Sequence, residues 1–432
     1  MNIDDPDSVK DAASTIAFGL MKYYTGNNTG DVPGNLPDPY FWWEAGAMFG
    51  ALIDYWHITG DSTYNEVTTQ AIVHQSGEDR DFMPRNQTST EGNDDQGFWA
   101  MTAMSAAEVA FPDPPDDQPH WLALVQATFN LYVSRWETLE CGGGLRWQIF
   151  PLNQGFDYKN TISNGCFFNI AARLARYTGN DTYAEWAAKV YDWQVDVGFI
   201  RPDFTVQDGA GVASDCRDRD ETQWSYNAGV LIHGAAALFN ATGDAEWKNR
   251  LDGLLGSAVE AFFNNSVAVE PQCEAARTCN IDQRSFKGYL LRWLASTTKF
   301  APHTAETIFP LLRATGEAAA AACDGSPPPE EFRGMPGTAC GQDWARGTFD
   351  GFTGVGEQMN ALAAVQYSLA ETAGAPVTED DGGTSKGDPG AGEGSVHKFE
   401  LSPITTRDRV AAAFLTAGMC LGVLVGCVFV MR

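Results

Sequence analysis

Tyr177-Thr178-Gly179-Asn180-Asp181-Thr182-Tyr183 joins two apolar helical patterns, and the same join occurs twice more in the chain, at residues 58–64 and 241–247. In each stretch a glycine can end one helix in the left-handed conformation, and the Asp or Asn that follows can cap the next helix. An aromatic residue comes shortly after and can pack back on the turn. The pattern predicts short joints between antiparallel helices.

Helical periodicity covers almost the whole chain. Residues 168–177, 184–195, 228–239 and 251–263 repeat apolar side chains at helical spacing, whereas the alternation typical of strands is scarce and brief. A fainter copy of the joint occurs at residues 314–317. The spacing of the joints indicates helical hairpins of about sixty residues, with one joint missing. Six such hairpins in residues 1–375 predict an all-α fold, an (α/α)6 barrel whose inner helices surround a central cavity.

The loops at the rim opposite the joints are longer and carry aromatic and polar side chains, so we expect the functional cleft there. They are residues 40–46, 93–99, 141–148, 208–211, 222–227 and 282–289, about one loop per hairpin. Aromatic rings can stack on sugar faces while amides and carboxylates bind hydroxyl groups. The candidate substrate-binding residues are Tyr40, Trp42, Trp43, Gln96, Phe98, Trp99, Trp147, Gln148, Asp208, Trp224, Tyr226, Asn227, Asp282 and Lys287.

Two adjacent carboxylates stand at the start of a long apolar helical pattern, in Asn93-Asp94-Asp95-Gln96-Gly97-Phe98-Trp99. Glycosidic bond cleavage needs one carboxyl group to protonate the leaving oxygen and a second to act as nucleophile or to activate water. Asp94 and Asp95 could supply both. Alternatively they only cap the helix, since acidic residues satisfy free N–H groups and complement the helix dipole.

Charge and composition narrow the class of ligand. The 432 residues include 28 basic and 56 acidic side chains, a net charge of −28, which disfavours nucleic acid and anionic membranes. An uncharged polysaccharide fits this balance, and the 12% aromatic content is high for packing alone. No Cys-x-x-Cys or His-rich pattern occurs, so we expect neither a metal nor a cofactor.

The C-terminal end predicts a lipid anchor. Residues 376–409 form a polar, glycine-rich linker, and residues 410–432 form an apolar tail that is long enough to span a membrane. Small residues, a polar spacer and an apolar tail are typical of a glycosylphosphatidylinositol (GPI) attachment signal, with attachment expected at Gly390, Gly392 or Gly394. We therefore expect no permanent membrane span, and a protein held at the outer face of the plasma membrane and in the cell wall.

Sequons and cysteines agree with the secretory pathway. Five Asn-x-Ser/Thr sequons are candidate glycosylation sites. Of the nine cysteines, Cys420 and Cys427 lie in the tail and Cys166 lies in an apolar helical pattern, which predicts a buried free thiol. The loops of Cys273–Cys279 and Cys323–Cys340 suggest two disulfides and leave Cys141–Cys216, although six cysteines permit fifteen pairings. The sequons are at Asn27, Asn86, Asn180, Asn240 and Asn264.

Residues 40–46, 93–99, 143–148 and 224–229 together resemble the sequence blocks of glycoside hydrolase family 76, the endo-α-1,6-mannanases. The resemblance covers about residues 8–370 in order. Within the family the chain is most similar to the fungal cell-wall branch of the "defective for filamentous growth" and "defective cell wall" type, which carries the same lipid-anchor tail. The resemblance implies an (α/α)6 fold and a retaining mechanism, with Asp94 as nucleophile and Asp95 as acid/base.

The resemblance also implies partners. The fungal branch is thought to cut the mannose core of GPI glycans and to join the anchored proteins to wall glucan, so the expected partners are α-1,6-linked mannose chains, the GPI-core glycan and a β-glucan acceptor. Three alternatives stay open: a plain endo-α-1,6-mannan hydrolase, an inactive glycan-binding wall protein, and another six-hairpin enzyme that acts on uronides. The loops carry only Arg146, Arg284 and Lys287 as cations, which disfavours the anionic uronides.

Overall fold

The computed structural model describes residues 1–87, 89–395 and 405–430, with the side chains of the last segment described up to residue 423. The helices are α1 Pro6–Met21, α2 Trp42–Thr59, α3 Asn65–Gln75, α4 Asn93–Glu108, α5 Trp121–Arg135, α6 Thr161–Thr178, α7 Asp181–Asp196, α8 Ser225–Thr242, α9 Ala245–Phe262, α10 Phe286–Phe300, α11 Ala305–Ala321, α12 Val355–Tyr367 and α13 Thr406–Val430. Two small antiparallel sheets accompany them: β1 Tyr158–Asn160 with β2 Gly209–Gly211 and β3 Arg219–Asp220, and β4 Phe263–Asn264 with β5 Val267–Ala268.

The even-numbered helices α2 to α12 form a closed ring. Each packs against the next, and α12 packs back against α2. The odd-numbered helices α1 to α11 lie outside this ring. α3, α5, α7 and α9 each pack on the inner helix before them, α11 packs on α10 and α12, and α1 packs on α12 and α2. Inner helices such as α6 are buried on nearly every side, whereas α7 and α9 bury one face. The (α/α)6 barrel is confirmed.

The three predicted joints lie at one rim. Gly60, Gly179 and Gly243 end α2, α6 and α8 in the left-handed conformation, with φ of +80°, +66° and +67°. After two of them the side chains of Asn180 and Asp244 accept hydrogen bonds from the backbone of the next helix, so each joint ends one helix and caps another.

The expected fourth joint at residues 314–317 is wrong. Gly316 lies inside α11, and a Cβ there would come within 2.8 Å of the carbonyl oxygen of Ala364 in α12. The glycine therefore serves close packing between α11 and α12 rather than a turn. Thr315, whose position matches the joint motif, instead binds the backbone N–H of Ala268 with its hydroxyl at 3.1 Å.

The cysteines pair as Cys141–Cys216, Cys273–Cys279 and Cys323–Cys340, and Cys166 is a buried free thiol, as expected. Cys141–Cys216 ties the loop after α5 to the loop before α8, so it crosses between neighbouring hairpins. Cys166 lies beneath Gly97, where an added Cβ would meet the Cβ of Cys166 at 2.6 Å. That contact lets α4 and α6 approach closely.

The C-terminal part differs from the sequence expectation in one respect. Residues 376–395, assigned above to a linker, lie against the barrel and make hydrogen bonds to α4, α5 and α6. α13 belongs to a separate unit, and the described residues contain no helix with the length and apolarity to cross a membrane. The spacer residues 396–404 lie outside the described residues.

The joints predict a matched pair of substitutions. Gly179→Ala should lower the free energy of unfolding by about 1 kcal/mol, because the left-handed conformation opposes a Cβ. Gly256→Ala, within α9, should raise it by about 0.5–1 kcal/mol, because alanine favours a helix over glycine. Among the described residues no atom lies within 4 Å of either added Cβ, so packing does not confound the comparison. Urea denaturation measures both, and equal shifts in the two variants would contradict the role of the joint.

Candidate active site

All six inner helices begin at the rim opposite the joints, and the first residues of four of them, with the N-cap Asn160 of α6, surround a cleft of about 550 Å³. The partial positive charges of these helix N-termini point toward the cleft and favour negative groups there. The residues that line it are Phe41, Trp42, Trp43, Gln87, Thr90, Glu91, Asp94, Asp95, Phe98, Trp147, Gln148, Tyr158, Asn160, Asp208, Trp224, Tyr226, Asn280, Asp282, Gln283 and Phe286.

Asp94 and Asp95 are the second and third residues of α4 and are partly buried in the floor of the cleft. Asp95 Oδ2 accepts a hydrogen bond from the backbone N–H of Gly92 at 2.6 Å, which closes the first turn of the helix. Asp94 Oδ2 accepts from Trp147 Nε1 at 3.0 Å, and Asp94 Oδ1 has no hydrogen-bond partner among the described residues. Asp95 therefore caps the helix, whereas Asp94 does not.

Burial raises the pKa of both carboxyl groups. The pKa of Asp94 lies well above its usual range because of burial and then because of the charge of Asp95. Burial raises the pKa of Asp95 to about 7; the Gly92 N–H bond opposes this rise, and the charge of Asp282 adds to it. Two adjacent carboxylates cannot ionise independently, so the pair retains a proton near neutral pH and that proton belongs to the pair.

Two further carboxylates form the side walls of the cleft. Asp208 Oδ2 accepts from Tyr158 Oη at 3.0 Å, and Asp282 Oδ1 accepts from Trp43 Nε1 at 3.2 Å. Burial raises the pKa of each to about 6, against the effect of these hydrogen bonds. Beside Asp95, the side chain of Glu91 is buried, and its pKa is raised well above its usual range by burial and by the charge of Asp95.

Most predicted binding residues meet in this cleft. Trp147 is 37% exposed, whereas Trp42 and Trp43 are each only 9% exposed. Tyr226 is stacked on Phe286 with the ring centroids 3.8 Å apart. Their roles in binding stay predictions. The predicted residues that line the cleft are Trp42, Trp43, Asp94, Asp95, Phe98, Trp147, Gln148, Asp208, Trp224, Tyr226 and Asp282.

Five predicted residues lie outside the lining. Tyr40 packs edge-on against Tyr23, and its hydroxyl accepts a hydrogen bond from the backbone of Val355. Trp99 is fully buried and donates from Nε1 to the carbonyl oxygen of Trp42 at 3.2 Å. These two aromatic residues support the wall behind the lining.

The other three are polar and buried. Asn227 donates to Asp208 Oδ1 at 3.3 Å, so it orients a lining carboxylate. Gln96 donates to the carbonyl oxygen of Asp81 at 2.6 Å. Lys287 is 1% exposed, pairs with Glu274 at 3.0 Å and lies 3.6 Å from the ring centroid of Trp344, so its charge is compensated within the protein.

Nine lining residues were not among the named candidates: Phe41, Gln87, Thr90, Glu91, Tyr158, Asn160, Asn280, Gln283 and Phe286. Asn160 caps α6, with its side chain accepting from Ser163 N at 3.2 Å, and it lies at the end of β1 next to Tyr158. The Tyr-Lys-Asn-Thr stretch before an apolar helix was a usable signal for Asn160, because Asn before a helix is a capping pattern. Phe286 lies in the loop 282–289 that the sequence assigned to the cleft, and it reaches the cleft through the turn before α10.

Within residues 1–87, 89–395 and 405–430 no group of three or more His, Cys, Asp or Glu side chains is arranged to hold a metal ion. The sequon asparagines Asn27, Asn86, Asn180, Asn240 and Asn264 are all exposed, as attachment of a glycan requires. Their glycosylation stays a prediction.

Comparison with known proteins finds similarity over nearly the whole chain to the family that the sequence blocks resemble. The sequence model of glycosyl hydrolase family 76 matches residues 8–380. Mannan endo-1,6-alpha-mannosidase DCW1 of Saccharomyces cerevisiae is 45% identical over 421 residues, which cover 96% of this chain and 92% of that protein. A putative mannan endo-1,6-alpha-mannosidase of Schizosaccharomyces pombe is 47% identical over 394 residues, covering 91% and 87%.

Solved structures agree. The crystal structure of Dfg5 from Chaetomium thermophilum in complex with glucosamine is 47% identical, with a TM-score of 0.87, and the match covers 92% of this chain and 98% of that one. An inactive variant of an α-1,6-mannanase of Salegentibacter, in complex with α-1,6-mannotriose, is 16% identical with a TM-score of 0.65, covering 84% and 99%. Because the Salegentibacter enzyme is only 16% identical, its similarity shows the fold alone.

The two functions of Trp147 can be separated by substitution. Trp147→Ala removes an exposed ring and should weaken α-1,6-mannotriose binding by about 1–3 kcal/mol. Trp147→Phe keeps a ring but removes the donor to Asp94, so binding should be largely retained while the pKa of Asp94 rises and the acid limb of activity moves to higher pH. Calorimetry and rate–pH profiles measure these effects. Equal affinity in the alanine variant and the unmodified protein would exclude Trp147 as a binding platform.

Proposed function

Because the chain belongs to glycosyl hydrolase family 76, we propose that it cleaves α-1,6-linked mannose chains and uses Asp94 and Asp95 to do so. Membership makes the chain a glycoside hydrolase; the linkage is proposed from the relatives that are named mannan endo-1,6-alpha-mannosidases. The single observation that carries the proposal is the adjacent, partly buried carboxyl pair at the floor of an aromatic cleft.

The hydrogen bonds of the pair support different roles for the two residues. Asp94 Oδ2 accepts a hydrogen bond from the exposed Trp147, whereas Asp94 Oδ1 is buried without a donor among the described residues, so Oδ2 is the oxygen of Asp94 that faces the cleft. Asp95 is held at one oxygen by the Gly92 N–H, and its second oxygen can carry the proton that the pair retains. We propose Asp94 as the nucleophile and Asp95 as the acid/base, in a retaining reaction.

The reaction runs in two displacements. In the first, a carboxylate oxygen of Asp94 forms a bond to the anomeric carbon, the bond from that carbon to the leaving oxygen breaks, and the proton of Asp95 moves to the leaving oxygen. In the second, the Asp95 carboxylate takes a proton from an incoming hydroxyl group, whose oxygen bonds to the anomeric carbon and displaces Asp94. Water as the incoming group gives hydrolysis, and a sugar hydroxyl gives transfer.

We propose the GPI-core glycan as a substrate and a β-glucan as an acceptor. That glycan contains an unacetylated glucosamine, whose ammonium group suits a cleft in which Asp94, Asp95, Asp208 and Asp282 are present and no Lys or Arg among the described residues lines the surface. The structural relative from Chaetomium thermophilum was crystallised with glucosamine, which supports this choice. Transfer to glucan would link an anchored protein to the cell wall.

We also propose that the protein is located at the cell surface. The polar segment followed by an apolar tail supports GPI attachment, and the relatives of the DCW1 and Dfg5 type are fungal proteins. A lipid anchor would hold the cleft and other anchored glycans on one surface, which raises their effective concentration.

The roles of the pair are tested by conservative substitution. Asp95→Asn should lower kcat by about 10²–10⁴-fold, the range for loss of a general acid, and Asp94→Asn should abolish turnover. Thermal stability should be kept or raised, because each change removes one of two mutually repelling carboxylates. Asp244→Asn, at a plain helix cap on the opposite rim, is the matched control and should leave kcat unchanged.

The assay is incubation with an α-1,6-mannooligosaccharide and a β-1,3-glucan oligosaccharide, with mass spectrometry of the products. A mannosyl–glucan product supports transfer, and free mannosides alone support plain hydrolysis. Full turnover by either Asn variant would refute the assignment. A lectin function would be indicated if the unmodified protein binds the mannoside without cleaving it.

The pH dependence follows from the proton that Asp95 must carry. Burial raises the pKa of Asp95 to about 7 and raises that of Asp94 as well, so the pair loses the proton that catalysis needs as the pH rises through this range, and kcat should fall above about pH 7. Asp282→Asn removes a charge that raises the pKa of Asp95 and should move the alkaline limb to lower pH. Asp208→Asn removes the other wall carboxylate, which is not among the charges that raise it, and should leave the limb in place. Equal displacement in both variants would contradict a specific effect of the Asp282 charge on the pKa of Asp95.

A further inference from the structure

The segment 376–395, named here the C-terminal strap, is fastened to the barrel along its length. It starts at the joint rim, where the backbone N–H groups of Val377 and Glu379 donate to the carbonyl oxygens of Glu108 and Tyr177 at 2.7 and 2.9 Å. Arg176 donates to the carbonyl oxygens of Pro376 and Val377. This part of the strap is tied to the C-terminal ends of α4 and α6.

The strap then follows α5 toward the cleft rim. The Ser385 hydroxyl accepts from the backbone N–H of Leu122 at 2.9 Å, and the Asn130 side chain donates to the carbonyl oxygens of Pro389 and Ala391 at 2.9 and 2.8 Å. An added Cβ at Gly392 would meet the carbonyl oxygen of Ala127 at 3.0 Å, so the strap lies directly on the helix.

The strap ends at a buried carboxylate. The Ser395 hydroxyl donates to Asp81 Oδ2 at 2.7 Å, and the backbone N–H of Met83 donates to Asp81 Oδ1 at 3.1 Å. Asp81 is fully buried and lies between Arg80 and Phe82, which adopt the left-handed backbone conformation with φ of +56° and +57°. Such residues cost about 1–3 kcal/mol each and persist where the surroundings hold them in place.

The Asp81 loop is joined to the start of the catalytic helix. Gln96 donates to the carbonyl oxygen of Asp81 at 2.6 Å, and the buried Arg135 guanidinium donates to Gln96 Oε1 at 2.6 Å and to Asn93 Oδ1 at 2.9 Å. Asn93 and Gln96 flank Asp94 and Asp95 on the first turn of α4. Hydrogen bonds on both sides of Asp81 therefore link the end of the strap to Asn93 and Gln96, the two residues that flank the reacting pair.

We propose that Asp81 and Ser395 are positioning residues for Asp94 and Asp95, and that the C-terminal strap is part of the catalytic domain. Ser395 holds the Asp81 loop, and the loop holds Gln96, Arg135 and the first turn of α4. The mature enzyme must then retain Ser395, so a lipid anchor is attached at or after this residue and not at Gly390, Gly392 or Gly394. The expected effect of these residues on kcat rests on the function proposed above, whereas their expected effect on the order of the first turn of α4 does not.

The test uses variants of the full chain with a readout that needs no substrate. Ser395→Ala removes the hydroxyl, Ser395→Thr keeps one, and Asp81→Asn removes the charge. Lys386→Ala, which breaks an exposed ion pair between the strap and Asp116, is the matched control. Hydrogen exchange of residues 93–99 is followed by mass spectrometry, with residues 245–250 at the start of α9 as the internal reference.

Exchange of residues 93–99 should become about three- to ten-fold faster in Ser395→Ala and in Asp81→Asn, as expected for loss of one buried hydrogen bond, and should stay unchanged in Ser395→Thr and Lys386→Ala. Exchange at residues 245–250 should not change. Unaltered exchange at 93–99 in both disrupting variants, or an equal rise in both segments, would overturn the proposal, since the strap would then have no local effect on α4.

Two further measurements test the proposal: the kinetics of the variants and the position of the C-terminus in the mature protein. With α-1,6-mannotriose, kcat should fall about three- to ten-fold in Ser395→Ala with KM unchanged, and Ser395→Thr should restore it. A lower melting temperature with unchanged kcat would reduce the strap to a structural support and overturn the positioning role. A mature C-terminus before Ser395, found by mass spectrometry, would also overturn it. Faster exchange at 93–99 in a chain without mannosidase activity would refute the proposed function and leave the positioning role intact.

Discussion

The common direction of the six inner helices is the constraint on which the rest of the site depends. Every inner helix begins at the cleft rim and ends at the joint rim, so their unsatisfied N–H groups and partial positive charges are gathered around one cavity. Such surroundings tolerate buried negative charge. The cleft can therefore hold Asp94, Asp95, Asp208 and Asp282 without any lysine or arginine among its described lining residues.

Some features of this arrangement could be predicted from the sequence because they depend only on local residues. The turn chemistry of Gly60, Gly179 and Gly243 is local, because a left-handed glycine followed by a capping side chain needs no tertiary information. The joints and the helical period together were enough to predict the barrel. Asp94 and Asp95 were also visible, because they stand next to each other in the chain.

Other features depend on contacts between distant residues and could not be predicted from a local pattern. Trp147 and Trp99 both lie in loops that the sequence assigned to the cleft, but one ring is exposed in the cleft and the other is fully buried. Lys287 is paired with a glutamate that only the fold brings near, and Gly316 matches the joint motif although it serves helix packing. The composition of residues 376–395 is typical of a flexible linker, but their backbone is bound to three helices.

Closure of the ring by α12 against α2, with α1 packed on both, has a consequence for biosynthesis. The first helices emerge from the ribosome more than three hundred residues before the partner that covers them, and contacts of such long range are slow to form. Until α12 arrives, the faces of α1 and α2 that pack on it have no permanent cover. The barrel is therefore closed only after α12 has been made, and chaperones have a long interval in which to engage the unfinished barrel.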